Sequence, residues 1–353
     1  MHIIGLMSGT SLDGLDIAYC EFSDEKHFQL LAAETYNYPL AWQERLATLH
    51  RATAEEYVKA DAELGHYFGE CIQHFREKHP GRVDCVASHG HTVFHQPENG
   101  FTSQIGDGNA IHADTGIPVV CDFRRLDIAL GGQGAPLVPI GDRLLFSEYD
   151  CCINLGGIAN ISYEIDGRRI AYDISPCNMA LNHLAGLTGM TYDAGGDTAR
   201  KGETIASLLA RLETLEYYHI PAPKTLGKEW FEKQFLPYLE PYMSQPIPNV
   251  MNTVTEHIAL RLAAAINQSG IDVHRALITG GGANNQYLLE RLQEKIGTVE
   301  IVSIDDRIVD YKEAIIFALL AYLRIKGMNN TLASVTGARC DSCGGTIIGN
   351  IKI

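Results

Sequence analysis

Two segments of the chain open with the same layout of strands and turns, and this repetition limits the folds that the chain can adopt. Residues 2–22 contain an apolar strand, a turn at Ser8–Gly14 and an alternating return strand, and residues 151–164 contain a similar hairpin around Gly156–Gly157. A third strand follows each hairpin. Because strands joined by glycine turns pair as hairpins, the repetition predicts an α/β chain with two domains built on one plan.

The stretch Gly131–Pro136, with the sequence GGQGAP, lies between the two hairpins and is a clear break in the pattern. The chain has 353 residues, whereas single hydrophobic cores stop growing near ~250–300 residues. We therefore expect an N-terminal domain over residues 1–130, completed by the tail 332–353, and a C-terminal domain over residues 131–331.

Composition and charge exclude several classes of protein. Hydrophobic residues make up 46% of the chain and charged residues 20%, which is ordinary for a soluble enzyme. The formal net charge of −15 argues against the basic face that nucleic-acid binding requires. The longest apolar run, Ala314–Leu323, has ten residues; it is shorter than the ~18 of a membrane span and predicts a buried helix. Without a signal-peptide pattern, the chain is expected to be cytoplasmic, with no membrane partner.

Neither the cysteines nor the clustered histidines favour a metal site. Cys340 and Cys343 have no second pair at zinc-site spacing, so reduced thiols are expected, although any role of this pair stays open. His89, His91 and His95 are closely spaced, but a glycine separates the first two and no carboxylate or cysteine lies at ligand spacing. Contact with a substrate is the favoured role of His89.

Three glycine-rich turns, each after an apolar strand, indicate a nucleotide site. They occupy residues 9–14, 156–157 and 280–282. The chain contains neither the P-loop pattern nor the dinucleotide pattern G-x-G-x-x-G. Glycines without a Cβ allow backbone N–H groups to approach a phosphate closely. Any one of these turns alone is better explained as an ordinary hairpin turn, but three together favour nucleotide binding.

Eight segments, in order along nearly the whole chain, carry a resemblance to one family. They are Gly5–Asp16, Ser88–Pro97, Gln104–Ile111, Asp122–Pro139, Ile153–Ser162, Tyr192–Gly196, Ala222–Phe231 and Leu277–Asn285. With these segments the chain resembles the anhydro-N-acetylmuramic acid kinases of the actin/hexokinase/Hsp70-like ATPase superfamily. The resemblance implies two actin-like (ribonuclease H-like) domains with an ATP cleft between them.

The resemblance also implies which residues bind the nucleotide. A first phosphate loop would comprise Gly9, Thr10, Ser11, Asp13 and Gly14, with Asp13 holding Mg²⁺ through water. A second phosphate loop would comprise Gly156, Gly157 and Asn160. The adenosine would lie on Gly280, Gly281, Gly282 and Asn284.

For the sugar side, the resemblance implies that Asp173 is the catalytic carboxylate. The residues that would line the sugar pocket are His89, Arg124, Asn178 and Glu313. Simpler structural roles remain as alternatives: a surface salt bridge for Arg124, a first-turn carboxylate facing the helix dipole for Glu313, and a strand-end turn residue for Asp173.

The reaction of the family would consume ATP, water and 1,6-anhydro-N-acetylmuramic acid and yield N-acetylmuramic acid 6-phosphate, a step of peptidoglycan recycling. In that reaction a carboxylate orients and deprotonates the attacking water. Positioning and charge neutralisation promote the phosphoryl transfer. The resemblance also makes a homodimer a reasonable expectation.

Some positions depart from the family pattern. The stretch Asp173–Asn178 has side chains where the family often has glycine, His91 replaces the usual glutamine, and the lysine loop has the sequence PKTLG over 223–227. These changes leave the identity of the sugar open. Two alternatives follow: a kinase for a different sugar or anhydrosugar, or a non-catalytic actin-like module that binds nucleotide.

Overall fold

The computed structural model describes residues 1–9, 12–222 and 224–351. The chain divides into two compact units: unit 1 comprises Met1–Leu145 and Asp306–Ile353, and unit 2 comprises Phe146–Asp305. These limits differ from the expected domain limits at 130/131 and 331/332, which both fall inside unit 1.

The strands of the described residues are numbered in chain order. They are β1 His2–Ser8, β2 Gly14–Phe22, β3 Phe28–Asn37, β4 Cys85–Gln96, β5 Phe101–Ile105, β6 Val119–Cys121, β7 Cys151–Leu155, β8 Ile158–Ile165, β9 Arg168–Pro176, β10 Arg275–Thr279, β11 Glu300–Val302 and β12 Thr346–Ile348.

The α-helices are numbered in the same way. They are α1 Leu40–Thr48, α2 Ala54–Lys78, α3 Gly108–Thr115, α4 Arg125–Ala129, α5 Val138–Leu145, α6 Asn178–Gly186, α7 Asp197–Arg200, α8 Ala206–Leu212, α9 Lys228–Trp230, α10 Leu236–Leu239, α11 Ile247–Asn267, α12 Gln286–Ile296, α13 Asp306–Asp310, α14 Lys312–Ile325 and α15 Ala333–Thr336. A π-helical segment, Phe231–Phe235, joins α9 to α10.

The two units contain sheets of the same topology. In unit 1 the order is β3-β2-β1-β4-β6, with β12 beyond β6 and β5 paired to β4; in unit 2 it is β9-β8-β7-β10-β11. In each sheet the first three strands along the chain pair antiparallel, and two further strands, β4 and β6 in unit 1 and β10 and β11 in unit 2, extend the sheet in parallel from the first strand. This duplicated order is that of the ribonuclease H-like fold, so the predicted fold class is confirmed.

The predicted core helices are buried. In α11 apolar residues recur at helical spacing, which predicts that they share an inward face. They are at most 2% exposed, and they are Val250, Val254, Ile258, Leu262 and Ile266. The run Ala314–Leu323 lies in α14 and is buried throughout. None of the helices in residues 1–9, 12–222 and 224–351 is long and apolar enough to cross a membrane.

Helix α14 explains why the C-terminal part of the chain belongs to unit 1. A Cβ at Gly5 of β1 would lie 1.9 Å from the carbonyl oxygen of Ala314, so helix and strand are in direct backbone contact. Helix α14 also ion-pairs with α5 through Lys312 Nζ and Asp142 Oδ1, 2.7 Å apart. Both contacts join residues far apart in sequence, and they place 306–331 with the first sheet.

Two strands extend further than the sequence predicts. The apolar run Val83–Ser88 predicts a short strand, but β4 continues to Gln96 and pairs with β5, a strand that sequence reasoning missed. Gly90 has φ 75°, a conformation that favours glycine and accommodates the change of backbone direction. The run Arg169–Tyr172 predicts a strand that ends before Asp173, but pairing with β8 continues to Pro176, so Asp173 lies inside β9.

Candidate active site

The first glycine-rich turn follows β1. Thr10 and Ser11 of the predicted phosphate loop lie outside the described residues. The exposed carboxylate of Asp13 accepts a hydrogen bond from Gly14 N at 3.0 Å. A Cβ at Gly14 would lie 2.5 Å from Tyr36 O, so the close approach of β3 requires glycine there. This glycine therefore has a structural role besides any contact with phosphate.

Negative charge is concentrated beside this turn, at residues that the sequence analysis did not select. Asp16 Oδ1 accepts a hydrogen bond from Thr35 Oγ1 at 2.6 Å. Burial raises the pKa of Asp16, against the hydrogen bond from Thr35, and the nearby carboxylates of Asp13 and Asp310 raise it further. A cation near Asp16 would stabilise its charged form against burial and against the neighbouring negative charges. In the described part of the chain, no group of three or more His, Cys, Asp or Glu residues could hold a metal ion by itself.

The second turn, Gly156–Gly157, is held by the start of α6. The carbonyl of Gly157 accepts hydrogen bonds from Cys177 N and Met179 N, and that of Gly156 accepts one from Asn178 N, at 2.9–3.1 Å. These backbone N–H groups of α6 are therefore occupied by the turn. Gly157 itself is exposed, and a Cβ there would meet nothing closer than 3.7 Å. Its backbone is open to approach by a ligand.

The third turn packs against the end of β7. A Cβ at Gly280 would lie 2.5 Å from Asn154 Oδ1, and a Cβ at Gly282 would lie 2.6 Å from Leu155 Cβ. Gly281 is exposed, with Asn178 Nδ2 the nearest atom to a Cβ there, at 3.8 Å. Two of the three glycines thus serve close packing, and Gly281 is the one that presents bare backbone outward.

Asn178 lies beside this third turn. Its Nδ2 donates to Leu155 O at 2.9 Å, and its Oδ1 would lie 3.1 Å from a Cβ on Gly282. The structure therefore places Asn178 beside the third turn, which carries the predicted adenosine residues. The resemblance implied a sugar contact for Asn178; its surroundings favour a role in shaping the nucleotide turn.

Asp173 and Asn160 are neighbours across two paired strands. Asn160 of β8 is the register partner of Asp173 in β9, next to an irregularity at Ala159–Asn160. Asn160 also pairs with Asn154 of β7, and Asn154 pairs with Thr279 of β10. The sheet of unit 2 therefore brings Asp173, Asn160 and the start of the third turn to one edge.

The carboxylate of Asp173 is fixed through one of its oxygens. Asp173 Oδ2 accepts hydrogen bonds from Thr225 Oγ1 and Leu226 N, both at 2.8 Å. Oδ1 accepts none from the residues that the structure describes. Burial raises the pKa of the Asp173 carboxyl, and the hydrogen bonds from Leu226 and Thr225 oppose that shift. A half-buried carboxylate with one oxygen held and one free is suited to act as a base.

The backbone of Asp173 is held as well. Tyr217 OH donates to Asp173 O at 2.6 Å, and Asp173 N donates to Lys224 O at 3.1 Å. Lys224 Nζ in turn donates to Tyr217 O at 3.1 Å and lies 4.7 Å from the centre of the Tyr217 ring. Sequence reasoning missed Tyr217, since nothing in the sequence near it indicates this contact.

In unit 1 the structure brings His89 and Arg124 together. Arg124 Nε donates to His89 Nε2 at 3.0 Å, and its Nη1 donates to Gly134 O at 2.7 Å. Burial lowers the pKa of Arg124 to about 10, and the Glu313 carboxylate opposes that shift. The side chain therefore does not form a simple surface salt bridge.

Glu313 lies in the first turn of α14, the position that the helix-dipole alternative requires. Its side chain is exposed to solvent, yet desolvation by the surrounding protein raises the pKa of its carboxyl, opposed by Arg124 and Lys312. Glu313 therefore lies near Arg124 in addition to occupying the first turn of α14.

The other two histidines have partners inside unit 1. His91 Nδ1 is 2.9 Å from Ser8 Oγ, which is 2.7 Å from Tyr38 OH, and burial lowers the pKa of His91 to about 4. His95 Nδ1 is 3.1 Å from Thr102 Oγ1. The three histidines therefore do not converge on one point.

Comparison with known proteins places this arrangement in a family. A family model described as anhydro-N-acetylmuramic acid kinase matches residues 1–350. The chain belongs to the anhydro-N-acetylmuramic acid kinase family. The resemblance stated from the sequence is thereby confirmed, and membership makes the chain an ATP-dependent carbohydrate kinase, as predicted.

Relatives in this kinase family match over almost the whole chain. The anhydro-N-acetylmuramic acid kinase of Pasteurella multocida (strain Pm70) is 37% identical over 356 residues, which cover 96% of this chain and 94% of the relative. That of Aliivibrio fischeri (strain ATCC 700601 / ES114) is 39% identical over 357 residues, covering 95% of both chains. Among solved structures, component A of (R)-2-hydroxyglutaryl-CoA dehydratase from Acidaminococcus fermentans is similar with a TM-score of 0.48 and 13% identity, over 92% of this chain and 99% of that one.

Proposed function

We propose that this protein uses ATP to open 1,6-anhydro-N-acetylmuramic acid with water and to phosphorylate O6, giving N-acetylmuramic acid 6-phosphate for peptidoglycan recycling. Family membership supports the substrate class. The observation that carries the mechanism is the Asp173 carboxylate, held at Oδ2 by Thr225 and Leu226. A base that must act on one water needs this combination of fixed orientation and one free oxygen.

In the proposed reaction Asp173 orients a water molecule at the anomeric carbon and accepts its proton. The new C1–OH bond forms as the C1–O6 bond breaks, and O6 takes the γ-phosphoryl group of ATP, leaving ADP. The proton on Asp173 then passes to solvent. Since O6 leaves as a phosphate ester, the enzyme needs no separate acid to protonate it. General-base help of this kind contributes ~10²–10⁴-fold to rate.

The glycine turns are proposed to bind the nucleotide through backbone N–H groups. Gly157 and Gly281 are the exposed positions in unit 2 at which a ligand meets bare backbone. Gly9, Thr10, Ser11, Asp13 and Gly14 stay the predicted phosphate loop of unit 1. Asn160 and Asn284 remain predicted nucleotide contacts, and Asn178 is assigned here to the third turn.

Mg²⁺ is the divalent ion that this chemistry and these residues favour. Asp13 and Asp16 supply oxygen donors; burial, with a smaller contribution from neighbouring carboxylates, raises the pKa of Asp16, and a cation would favour its charged form. Magnesium in kinases is bound by one or two carboxylates together with phosphate oxygens and waters, so a set smaller than a full protein cage fits. When bound, the ion neutralises charge on the transferring phosphoryl group.

The sugar is proposed to bind His89, Arg124 and Glu313. Because Arg124 donates to His89 Nε2, the neutral imidazole carries its proton on Nδ1 and offers it as a donor. His89 Nδ1 is buried without a hydrogen-bond partner among the described residues. Arg124 supplies donors for sugar oxygens, Glu313 supplies an acceptor for a hydroxyl group, and His89 remains a predicted sugar contact.

The test is sugar-stimulated release of ADP by the purified protein, measured across a panel of amino sugars and anhydrosugars. We expect stimulation by 1,6-anhydro-N-acetylmuramic acid and a product heavier by one water and one phosphoryl group. Stimulation by another sugar alone would assign the protein to a different carbohydrate, and ATP binding without stimulation by any sugar would support a non-catalytic module.

Cytoplasmic location and a homodimer are also retained as proposals. ATP, the second substrate, is supplied in the cytoplasm, and the cysteines of the described residues are free thiols, which suits a reducing compartment. Fractionation of the cells and light scattering of the purified protein test the two statements separately.

A further inference from the structure

The glycine-rich stretch that suggested a domain junction has another place in the structure. Residues Gly131–Gly134, here called the arginine turn, follow α4 inside unit 1. Gly131 N and Gly132 N donate to Ile128 O and Asp127 O at 2.8 and 2.9 Å, so the turn folds back on the helix. Gly134 has φ 66°, which favours glycine.

A buried carboxylate fixes this turn. Asp127 is 1% exposed; its Oδ2 accepts from Gly134 N and its Oδ1 accepts from Thr336 Oγ1, both at 2.7 Å. It forms no ion pair with any residue that the structure describes. Burying a carboxylate is unfavourable unless it is well hydrogen-bonded, so both contacts matter for keeping it there.

At two positions the arginine turn has no room for a side chain. A Cβ at Gly132 would lie 2.3 Å from Asp127 Oδ2, and a Cβ at Gly134 would lie 2.8 Å from Ile128 Cγ1. The C-terminal segment closes the turn from the other side, because Gln133 N donates to Thr336 O at 2.8 Å. The position of the Gly134 peptide is therefore set by Asp127 and Thr336 together.

That peptide holds the guanidinium of Arg124. While Gly134 N donates to Asp127, Gly134 O accepts from Arg124 Nη1 at 2.7 Å, and Arg124 Nε donates to His89 Nε2 at 3.0 Å. A continuous chain of hydrogen bonds runs from Thr336 through Asp127, Gly134 and Arg124 to His89.

We propose that Asp127, supported by Thr336, is a positioning residue that sets the orientation of Arg124 and the tautomer of His89 for sugar binding. The link to sugar binding rests on the proposed function; the geometric part does not. Neither Asp127 nor Thr336 is assigned contact with the sugar or with ATP, so their effect on affinity is transmitted through Arg124.

The first experiment reads the His89 tautomer by ¹⁵N NMR of histidine-labelled protein without any substrate, assigned with a His89→Gln variant. The wild-type ring is expected to be protonated on Nδ1. Asp127→Ala and Thr336→Val are expected to shift the ring toward the Nε2-protonated form, because Arg124 no longer donates there. Asp127→Asn keeps an oxygen for Gly134 N and is expected to retain the wild-type tautomer.

The second experiment measures KM for the sugar and for ATP in the same variants. We expect the sugar KM to rise about tenfold in Asp127→Ala and less in Thr336→Val, as for loss of a buried hydrogen bond, with the KM for ATP within about twofold of wild type. Thr255→Val is the matched control, since it removes a buried hydroxyl that bonds only Met251 O in α11. It should leave both KM values and the tautomer unchanged.

The outcomes separate the inference from the function on which it rests. Folded Asp127→Ala and Thr336→Val proteins with a wild-type tautomer and sugar KM would overturn the positioning role, even if the kinase activity is present. A changed tautomer together with an Arg124→Ala variant of normal sugar KM would keep the positioning role and remove Arg124 from sugar binding. If Asp127→Ala fails to fold, Thr336→Val decides the matter alone.

Discussion

At Asp173 two opposing influences act on one carboxyl group. Burial raises its pKa, whereas the hydrogen bonds from Leu226 and Thr225 stabilise the charged form and lower it. A base in this reaction must be deprotonated, so the hydrogen bonds keep the carboxylate available at neutral pH while burial keeps it basic. The neighbouring loop, through Tyr217 and Lys224, holds the backbone that carries it.

Replacing this carboxylate tests the role directly. Asp173→Asn keeps the size of the side chain but removes the proton acceptor, and we expect kcat/KM for the sugar to fall by ~10²–10⁴-fold. The KM for ATP should change little, because the glycine turns are intact. Full sugar-kinase activity of this variant in an ATP-saturated assay would contradict the assignment of Asp173 as the base.

A pH profile tests the tuning of the same group. Thr225→Val removes a hydrogen bond that favours the charged carboxylate, so the pKa of Asp173 is expected to rise further. Activity depends on the deprotonated form and is lost as pH falls through that pKa; the acid limb of kcat/KM should therefore move to higher pH. Thr214→Val, which removes a hydroxyl bonded to Arg211 O, is the control. An acid limb at the wild-type position in Thr225→Val would rule out this tuning.

Among the elements, the third glycine turn has glycine at two positions for different reasons. Gly280 has φ 84° and lies against Asn154, whereas Gly281 is exposed and has space around it. Packing on β7 thus accounts for one glycine, and access for a ligand accounts for the other. The same residue type serves the fold at one position and the proposed nucleotide at the next.

A pair of alanine variants distinguishes the packing role of Gly280 from the proposed ligand contact of Gly281. Gly280→Ala is expected to lower the free energy of unfolding by about 1–3 kcal/mol, because φ 84° with ψ 163° is a conformation essentially restricted to glycine. Gly281→Ala should leave the melting temperature unchanged and raise the KM for ATP about tenfold, equivalent to ~1.4 kcal/mol of binding. Thermal melts and kinetics of both variants give the answer; a normal KM for ATP in Gly281→Ala would remove that residue from the nucleotide site.

For the whole molecule, ATP is proposed to bind the folded chain and not the unfolded chain. Such binding stabilises the folded chain by mass action. The protein carries a net charge of −15, so the attraction of a polyanion depends on local backbone donors and a cation rather than on the overall field.

Nucleotide-linked stability follows from this. At an ATP concentration 100 times the Kd, with Mg²⁺, the stabilisation should be about 2.7 kcal/mol, measured as a rise in melting temperature of about 5 °C. Chelation of the metal with EDTA should reverse much of the shift, and Asp173→Asn should retain it. A melting temperature that ATP and Mg²⁺ do not change would contradict nucleotide binding by these turns.

The sequence by itself determined the local structure and the family. The period of apolar residues predicted the buried face of α11, from Val250 to Ile266, and the burial of Ala314–Leu323. Glycines at strand ends predicted the hairpin around Gly156–Gly157. These features depend on neighbours within a few residues, so a single chain displays them directly.

Only the tertiary structure decided which distant residues meet. Thr336 bonds Asp127 across 209 positions of the chain, and Asn178 lies beside Gly282. Asp173 lies inside a strand because pairing with β8 continues to Pro176. Helix α14 belongs to unit 1 because Gly5, which has no side chain, lets the backbone at Ala314 pack directly on β1. Such contacts arise from packing and long-range pairing between elements, and local periodicity carries no information about which partner an element will meet.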